Sequence, residues 1–474
     1  MKIKIILMLL SLVFVISCGE IEQGKVDLHG KLFQFKVDVL NAPETTQLLP
    51  ANIPYHDGEF QVEIKVTALD FYGEKVTDLK NQLRVYTSTG TCNPGNISAS
   101  DFIDGETTLT VSLLKTFDES YIIVEDSGNG VIGVSDEDKK FYFKGLDIYD
   151  IQLPSNSTAD ASNFFNDSYI RISQNTDPDG SNPHKNLMVI YASGSGMYII
   201  DTDRMHINEA GDNTGACMIK DGTGNWIKNP NFEGYSTMYV YSRNAPINFD
   251  GDSSVGAGEE DFKYLRAGHK LDWFSGNLVE FPPGISNGMT EMGFPLWEMI
   301  SGEMDLDESV LDERMKDIPI CELDHSEFVA GRNDATNIKN LERYESNIVE
   351  IKDVQIGTFD ANNKDYKIYS QWQVYPIGTD ITATDKPTFR VVSINGASEF
   401  DLMFHQNKDE NCTGENCEKI LKKGTQISYV RGILHHVYSD IWVIYLRSKC
   451  DIKLKDDSLG GWNNMINNDP ECNK

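Results

Sequence analysis

The sequence predicts an all-β protein in which one β-sandwich is followed by two small β-barrels. Apolar and polar residues alternate along residues 31–146, which is the period of strands with one buried face. Further along, one pattern of leucines and glycines occurs twice, as LRAGHKLDWFSGNL from Leu265 and as LKKGTQISYVRGIL from Leu421. With 474 residues, the chain has room for about three domains, one for the alternating region and one for each copy.

The chain opens with MKIKIILMLLSLVFVISC, where Lys2 and Lys4 precede an apolar run shorter than the roughly 20 residues that cross a bilayer. This layout predicts a secretion signal over residues 1–17. Its end, VISC, resembles the lipobox of bacterial lipoproteins. The resemblance implies that Cys18 becomes the N-terminus and carries acyl chains such as palmitate. In bacterial lipoproteins, an aspartate directly after the lipidated cysteine changes the membrane to which the protein is sorted. This chain has Gly19 at that position, so the same resemblance implies the outer membrane if the cell is Gram-negative.

Residues 18–30 read as a polar tether, and residues 31–146 as the sandwich. Turn clusters such as HDGE, TGTCNPGN and DSGNG separate the alternating runs at sandwich-like intervals. The order of the phrases DFYGEKV, GETTLTVSL and YIIVEDSGNGVIGVS resembles the immunoglobulin-like (Ig-like) domains of bacterial surface and adhesion proteins. That resemblance implies a spacer or adhesive module without chemistry of its own.

Short strands that contain glycine predict two small barrels, and the segments around them predict the connections. Residues 147–165 predict a linker, and 166–300 the first barrel, with strands such as NLMVIYAS, GSGMYIIDTD and YSTMYVYSR. Residues 301–340 predict an acidic linker with short helices, since GEMDLDESVLDERMKD has acids early and bases late. Residues 341–453 predict the second barrel, and 454–474 a polar tail.

The repeated pattern has a structural interpretation. In each copy the first glycine, Gly268 or Gly424, is expected to start a strand from a tight turn. The second, Gly276 or Gly432, is expected mid-strand, where a missing side chain permits the coil of a small barrel. Gly196 has the same structural role in the first copy. None of these positions carries a group that performs chemistry.

The first copy resembles a known family through VIYASGSGMYIIDTD, GYSTMYVYS and LRAGHKLDWFSGNLVEFPPG. These phrases are similar to the OB-fold-like domains that accompany secreted bacterial nucleases and recur in tandem in surface lipoproteins. The resemblance implies an OB-like barrel of about five strands, one face of which binds oligonucleotides or sugars elsewhere. Each candidate binding aromatic has barrel packing as its alternative role: Tyr198, Tyr239, Tyr241, Trp273 and Trp442.

Charge and motifs limit the classes of function. The net charge of −31 repels phosphate backbones, which makes nucleic acid a poor partner. The chain contains no H-E-x-x-H or P-loop motif, and we expect no enzyme activity. Two acidic turns suit calcium, with a solvated loop as the alternative, and no other cofactor is expected. Their aspartates are Asp177 and Asp179 in NTDPDGSN, and Asp250 and Asp252 in NFDGDSS.

Export to an oxidising compartment makes disulfides plausible. The best local pair is Cys412 with Cys417, in CTGENC. Cys92 is alone in its domain, which indicates that it is the unpaired thiol.

The adjacent His435 and His436 lie on a predicted strand, where neighbouring side chains point to opposite faces. They are therefore not expected to chelate one ion together.

These observations predict a lipid-anchored protein of the cell envelope with a non-catalytic role in binding, adhesion or assembly. Its ligand is an unknown protein, glycan or envelope component. The alternatives are an accessory nucleic-acid-binding factor in extracellular DNA handling and a calcium-stiffened structural spacer. Function is expected where the two copies differ, as at Thr290-Glu291 in the first and His435-His436 in the second.

Overall fold

The structure is a computed structural model that describes most of the chain. The described residues are 28–42, 48–49, 60–136, 140–143, 145–153, 164–174, 186–193, 195–202, 214–243, 247–249, 262–281, 289–329, 341–356, 372–379, 389–393, 424–437, 441–455, 463, 467–468 and 472. Strands dominate, and they form a sandwich and two closed barrels, which confirms the predicted fold class.

The sandwich consists of two four-stranded antiparallel sheets, ordered β1-β3-β7-β5 and β10-β9-β4-β6, with a small third sheet at β2-β11-β8. Its strands are β1 (Gln34–Val39), β2 (Leu48–Leu49), β3 (Phe60–Leu69), β4 (Leu83–Thr87), β5 (Thr91–Asn93), β6 (Asn96–Ile97), β7 (Glu106–Leu114), β8 (Glu119–Ser120), β9 (Ile122–Asp126), β10 (Val131–Val134) and β11 (Phe141–Phe143). The order is that of an Ig-like sandwich. Alternation explains the core: in β1, Phe35, Val37 and Val39 are buried, and the residues between them are not.

The first barrel closes through the ring β13-β14-β17-β21-β20, with β12 added beside β20. Its strands are β12 (Tyr169–Ser173), β13 (Leu187–Ala192), β14 (Gly196–Asp201), β15 (Met218–Lys220), β16 (Trp226–Lys228), β17 (Thr237–Tyr241), β18 (Ile247–Phe249), β19 (Phe262–Tyr264), β20 (Lys270–Phe281) and β21 (Met289–Met299). Strands β17 and β21 pair in parallel and the other ring pairs are antiparallel. This is the OB topology.

The second barrel repeats this topology through the ring β23-β24-β25-β27-β26, with β25 and β27 parallel. Its strands are β22 (Cys321–Glu322), β23 (Ile348–Ile356), β24 (Trp372–Pro376), β25 (Phe389–Ser393), β26 (Gln426–Val437), β27 (Ile441–Leu446) and β28 (Ile452–Leu454). The two copies of the repeated pattern therefore lie on equivalent strands, β20 and β26.

The pattern's glycines occupy equivalent sites in the two barrels. Gly268 and Gly424 have positive φ angles of 93° and 84° just before their strands begin. Gly276 lies against strand β21, and Gly432 lies against strand β27, each where an added Cβ would overlap the neighbouring strand. Gly196 likewise leaves no room beside Val240. The missing side chains thus permit close strand approach.

Short helices lie between the three units. They are α1 (Ile148–Gln152), α2 (Glu308–Met315) and α3 (His325–Val329), and a 3-10 turn at Glu303–Asp305 precedes α2. Two further 3-10 turns lie within the sandwich at Ala99–Asp101 and within the second barrel's sheet at Lys449–Asp451. Helix α1 begins with a capping box between Asp147 and Asp150. Helix α2 is held to the first barrel by Arg314, whose guanidinium donates to the backbone carbonyl of Gly268 at 2.9 Å. No helix among the described residues combines the length and apolar character needed to cross a bilayer.

Two disulfides and one free thiol account for the cysteines of the described residues. Cys217 pairs with Cys321, which joins a segment of the first barrel to β22 of the second barrel's sheet. Cys450 pairs with Cys472, which ties the C-terminal tail to the second barrel. Cys92 is free. The predicted pair of Cys412 and Cys417 lies outside the described residues.

Candidate functional site

The most exposed aromatic surface of the first barrel spans the outward side of β12, β20, β21 and the end of β17. Because side chains alternate along a strand, Ile170 and Phe274 fill the barrel core, while Tyr169, Arg171 and Trp273 lie on the outward side. The residues of this surface, called the aromatic face below, are Tyr169, Arg171, Trp273, Leu296, Phe294, Tyr241 and Arg243.

Phe294 is the centre of the aromatic face. Its side chain is 73% exposed, and its backbone has a left-handed φ of 51°. It lies at a β-bulge, because Ser275 pairs with Leu296 while Asn277 pairs with Gly293, which leaves extra residues on β21. A left-handed conformation costs a residue with a Cβ about 1–2 kcal/mol, and bulges re-aim side chains. Folding alone does not account for a strained, solvent-facing phenylalanine.

Arg243 also has a left-handed backbone, with a φ of 65°. Its guanidinium lies 5.2 Å from the centre of the Phe294 ring, which is within the range of cation–π contact. Phe294 on β21 and Arg243, just beyond the end of β17, are thus two strained residues whose side chains meet on one surface. Tyr241, which pairs with Gly293 across β17 and β21, extends the same surface and is 37% exposed.

The other half of the aromatic face is held in place by polar contacts. The indole Nε1 of Trp273 donates to the Glu298 carboxylate at 2.6 Å, and the Arg171 guanidinium lies 4.5 Å from the Trp273 ring. The hydroxyls of Tyr169 and Ser275 are 2.8 Å apart. These contacts fix the rings before any ligand arrives, which lowers the entropy cost of binding.

The opposite side of the first barrel is buried against the second. This buried contact, called the seam below, is an apolar cluster contributed by both barrels and the linker: Met188, Ile190, Tyr191, Tyr198, Ile200, Ala216, Tyr239, Met289, Ile318, Ile348 and Ile433. It covers the outward side of β13, β14 and β17. OB folds elsewhere use the face around these strands for nucleotides and sugars. In this chain that face is occupied by the second barrel.

Three of the five predicted binding aromatics are buried, two of them in the seam. Tyr198 and Tyr239 are 2% and 7% exposed and stack on each other with ring centres 4.7 Å apart. Trp442 is 5% exposed and belongs to the core of the second barrel. These three rings offer no face to a ligand in solution. Of the predicted aromatics, only Tyr241 and Trp273 belong to the aromatic face.

Polar residues that distinguish the two copies also meet in the seam. The Tyr198 hydroxyl lies 3.2 Å from Nδ1 of His435, and burial, followed by the charge of His436, lowers the pKa of His435 to about 3. The backbone N–H of Thr290 donates to the Glu345 carboxylate at 3.1 Å. Burial raises the pKa of Glu291 to about 7. Arg431 on β26 donates to the Glu350 carboxylate on β23, within the second barrel.

Several predicted sites lie outside the described residues. They are the lipidated Cys18, the calcium candidates Asp177, Asp179, Asp250 and Asp252, and the pair Cys412 and Cys417. Sequence reasoning missed Tyr169, Arg171, Arg243, Phe294 and Leu296. The one available signal was Gly293-Phe294-Pro295, since glycine and proline inside a strand indicate a bulge.

Comparison with known proteins gives only distant structural neighbours. No family model and no curated protein matches the chain. It is similar to the Escherichia coli adhesin FdeC at 11% identity and a TM-score of 0.16, over 49% of this chain and 64% of that one. It is similar to the Yersinia pseudotuberculosis adhesin InvE at 9% identity and a TM-score of 0.17, over 56% and 58%. The chain thus spans less than two thirds of either solved chain.

Proposed function

We propose that this chain is a lipid-anchored protein of the cell envelope that binds a protein partner through the aromatic face of its first barrel. The supporting observation is Phe294, an exposed ring on a strained bulge beside a second strained residue, Arg243. Tryptophan, tyrosine and arginine dominate the hot spots of protein interfaces, and this surface combines them with Phe294 and Leu296. The role is non-catalytic binding, adhesion or assembly.

The anchor in this proposal is Cys18, and the outer membrane is its location. A tether from residue 18 to the first described residues, near residue 28, reaches at most about 35 Å at roughly 3.5 Å per residue. The sandwich would then lie next to the bilayer. Its Phe71 and Tyr72, which are 55% and 54% exposed, lie close to that end of the chain, as the stacking of His29 on Tyr72 shows.

The test is a change of Phe294 to glycine in the full mature chain. Glycine adopts a positive φ without strain, so the melting temperature is expected to stay the same or rise. Loss of a hot-spot ring is expected to weaken partner binding about 30-fold, which corresponds to roughly 2 kcal/mol. Partners are captured from envelope extracts and quantified by mass spectrometry, and affinity is then measured with the purified partner.

Phe71→Ala is the matched control, because it removes an equally exposed ring from the sandwich. A partner that is retained by Phe294→Gly but lost by Phe71→Ala would move the binding surface to the sandwich. Turnover of an ester, glycoside or nucleic acid would contradict the non-catalytic role. Retention of single-stranded DNA at low salt would favour the accessory nucleic-acid role, since phosphate-based affinity is greatest there.

A further inference from the structure

A buried cluster of one imidazole and two carboxylates lies where the segment before β23 meets strand β26. The ligand-type atoms of Glu342, Glu345 and His436 all lie within 4.8 Å of one another. Glu345 and His436 are each 2% exposed, and Glu342 is partly buried. Carboxylate and imidazole groups are rarely buried together unless hydrogen bonds, ion pairs or a bound ion satisfy them.

The atoms of this cluster lack hydrogen-bond partners. They are Oε1 of Glu342, Oε2 of Glu345, and both ring nitrogens of His436. The Nδ1 of His436 is 3.5 Å from Oε1 of Glu342, close enough for electrostatic attraction but without hydrogen-bond geometry. A buried polar group without a partner costs about 1–3 kcal/mol, so several at one point demand an explanation.

The surroundings orient these groups and concentrate negative charge. The His436 ring is stacked on Trp442 at 4.5 Å and an interplanar angle of 10°, and the Thr290 N–H holds the other oxygen of Glu345. Burial first, and then the charges of Glu342 and Glu280, raises the pKa of Glu345 well above its usual range. A bound cation would neutralise this charge and occupy the unpaired atoms together.

We propose that Glu342, Glu345 and His436 bind one divalent transition-metal ion of the Zn²⁺ class. An imidazole nitrogen with two carboxylates suits such ions, whereas Ca²⁺ takes oxygen ligands only. The Thr290 backbone N–H acts as the outer contact that orients Glu345.

The ion would reinforce the seam between the barrels. Glu345 also accepts, through its backbone carbonyl, a hydrogen bond of 2.7 Å from Oγ1 of Thr237 in the first barrel. The backbone N–H of Tyr235 in the first barrel likewise donates to the carbonyl of Arg343, at 3.1 Å. Fixing Glu342 and Glu345 to His436 of the second barrel therefore stabilises the segment on which the first barrel rests. This site is independent of the aromatic face.

The experiment uses the full mature chain carrying Cys92→Ser in non-reducing buffer, stripped with chelator and then given Zn²⁺. We expect one zinc per chain by elemental analysis and a melting temperature about 5 °C higher at 100-fold excess over Kd. Glu345→Gln and His436→Gln are expected to weaken zinc affinity at least about 100-fold. Loading with Co²⁺ gives a visible absorption band that reports coordination directly, even in a variant of altered stability.

Two histidine variants are matched controls. His435→Gln removes the neighbouring ring, which faces Tyr198 instead, and His29→Gln removes the exposed histidine of the cluster with Asp70 and Glu74. Both are expected to keep full zinc stoichiometry. The proposal is overturned if the wild-type chain binds no stoichiometric zinc, if it responds to Ca²⁺ alone, or if His436→Gln binds zinc as tightly. Stabilisation by Glu345→Gln without any metal effect would instead indicate a proton shared between the carboxyls.

Discussion

At the scale of single residues, the structure separates aromatic rings that pack from rings that face solvent. Tyr198 and Tyr239 lie in the seam, whereas Phe294 is largely exposed. All three are outward-facing residues of the same small barrel, so their alternation along the strands does not distinguish them. What distinguishes them is whether the second barrel covers their part of the surface.

Glu291 gives a pH prediction. Burial raises its pKa from 4.5 to about 7, so the folded chain holds this proton more tightly than the unfolded chain. Its contribution to stability is therefore complete below about pH 4.5 and is lost as pH rises through 7. At roughly 1.4 kcal/mol per pKa unit, the loss amounts to about 3 kcal/mol.

Glu291→Gln removes this titration while keeping the size of the side chain. Denaturant unfolding of both proteins is measured at pH 5, 6, 7 and 8. The variant is expected to gain stability relative to the wild type as pH rises, by up to about 3 kcal/mol. Parallel pH profiles for the two proteins would show that Glu291 does not titrate in this range.

At the scale of elements, strand β26 depends on Gly432. A Cβ at this position would overlap the backbone carbonyl of Tyr445 on β27, and a backbone atom moves only with its strand. Gly432→Ala is expected to destabilise the second barrel by about 2–3 kcal/mol, measured by chemical denaturation. Gly293→Ala is the control, because its Cβ would meet nothing closer than the Asn277 carbonyl at 3.9 Å. Equal losses for both variants would remove the steric explanation.

Much of this element-scale organisation could be predicted from sequence. Alternation indicated the sandwich strands, and the repeated pattern indicated equivalent strands β20 and β26, because glycine is required where a strand starts from a left-handed turn or is approached closely. Gly293 and Pro295 indicated a bulge, but the positive φ and outward direction of Phe294 could not be predicted, since both are set by the pairing of β20 with β21.

The partners across the seam were also beyond sequence reasoning. The spacing of Cys217 and Cys321 gives no connectivity, because four or more cysteines allow several pairings. Glu342, Glu345 and Thr290 are distant from His436 along the chain and meet only through the docking of two barrels. The sequence did indicate Thr290 and His436 as candidate functional residues, because they differ between the two copies of the pattern.

At the scale of the whole molecule, each unit is packed against the next. Phe117 of the sandwich lies in the first barrel's core cluster beside Phe165, and the seam joins the barrels. The disulfide between Cys217 and Cys321 closes a loop with a sequence separation of 104 across that seam. A loop of about 100 residues corresponds to roughly 4–5 kcal/mol in the chain-entropy treatment.

Cys217→Ser with Cys321→Ser is therefore expected to lower the melting temperature by about 10 °C, as measured by calorimetry. The pair Cys450→Ser with Cys472→Ser is the control, because it opens a loop with a separation of only 22. It is expected to cost less, and mainly to release the tail. A larger loss from the shorter loop would show that the seam holds without its covalent link.

The covered face of the first barrel indicates a structural role for the second barrel. Tyr198 and Tyr239 lie where other OB barrels hold a ligand, and here His435 and Ile433 of the second barrel contact that surface. The second copy thus acts as a built-in occupant for the first, kept at high effective concentration by the chain that joins them. Because its own second barrel covers this face, the first barrel has only its remaining surfaces free to contact other molecules.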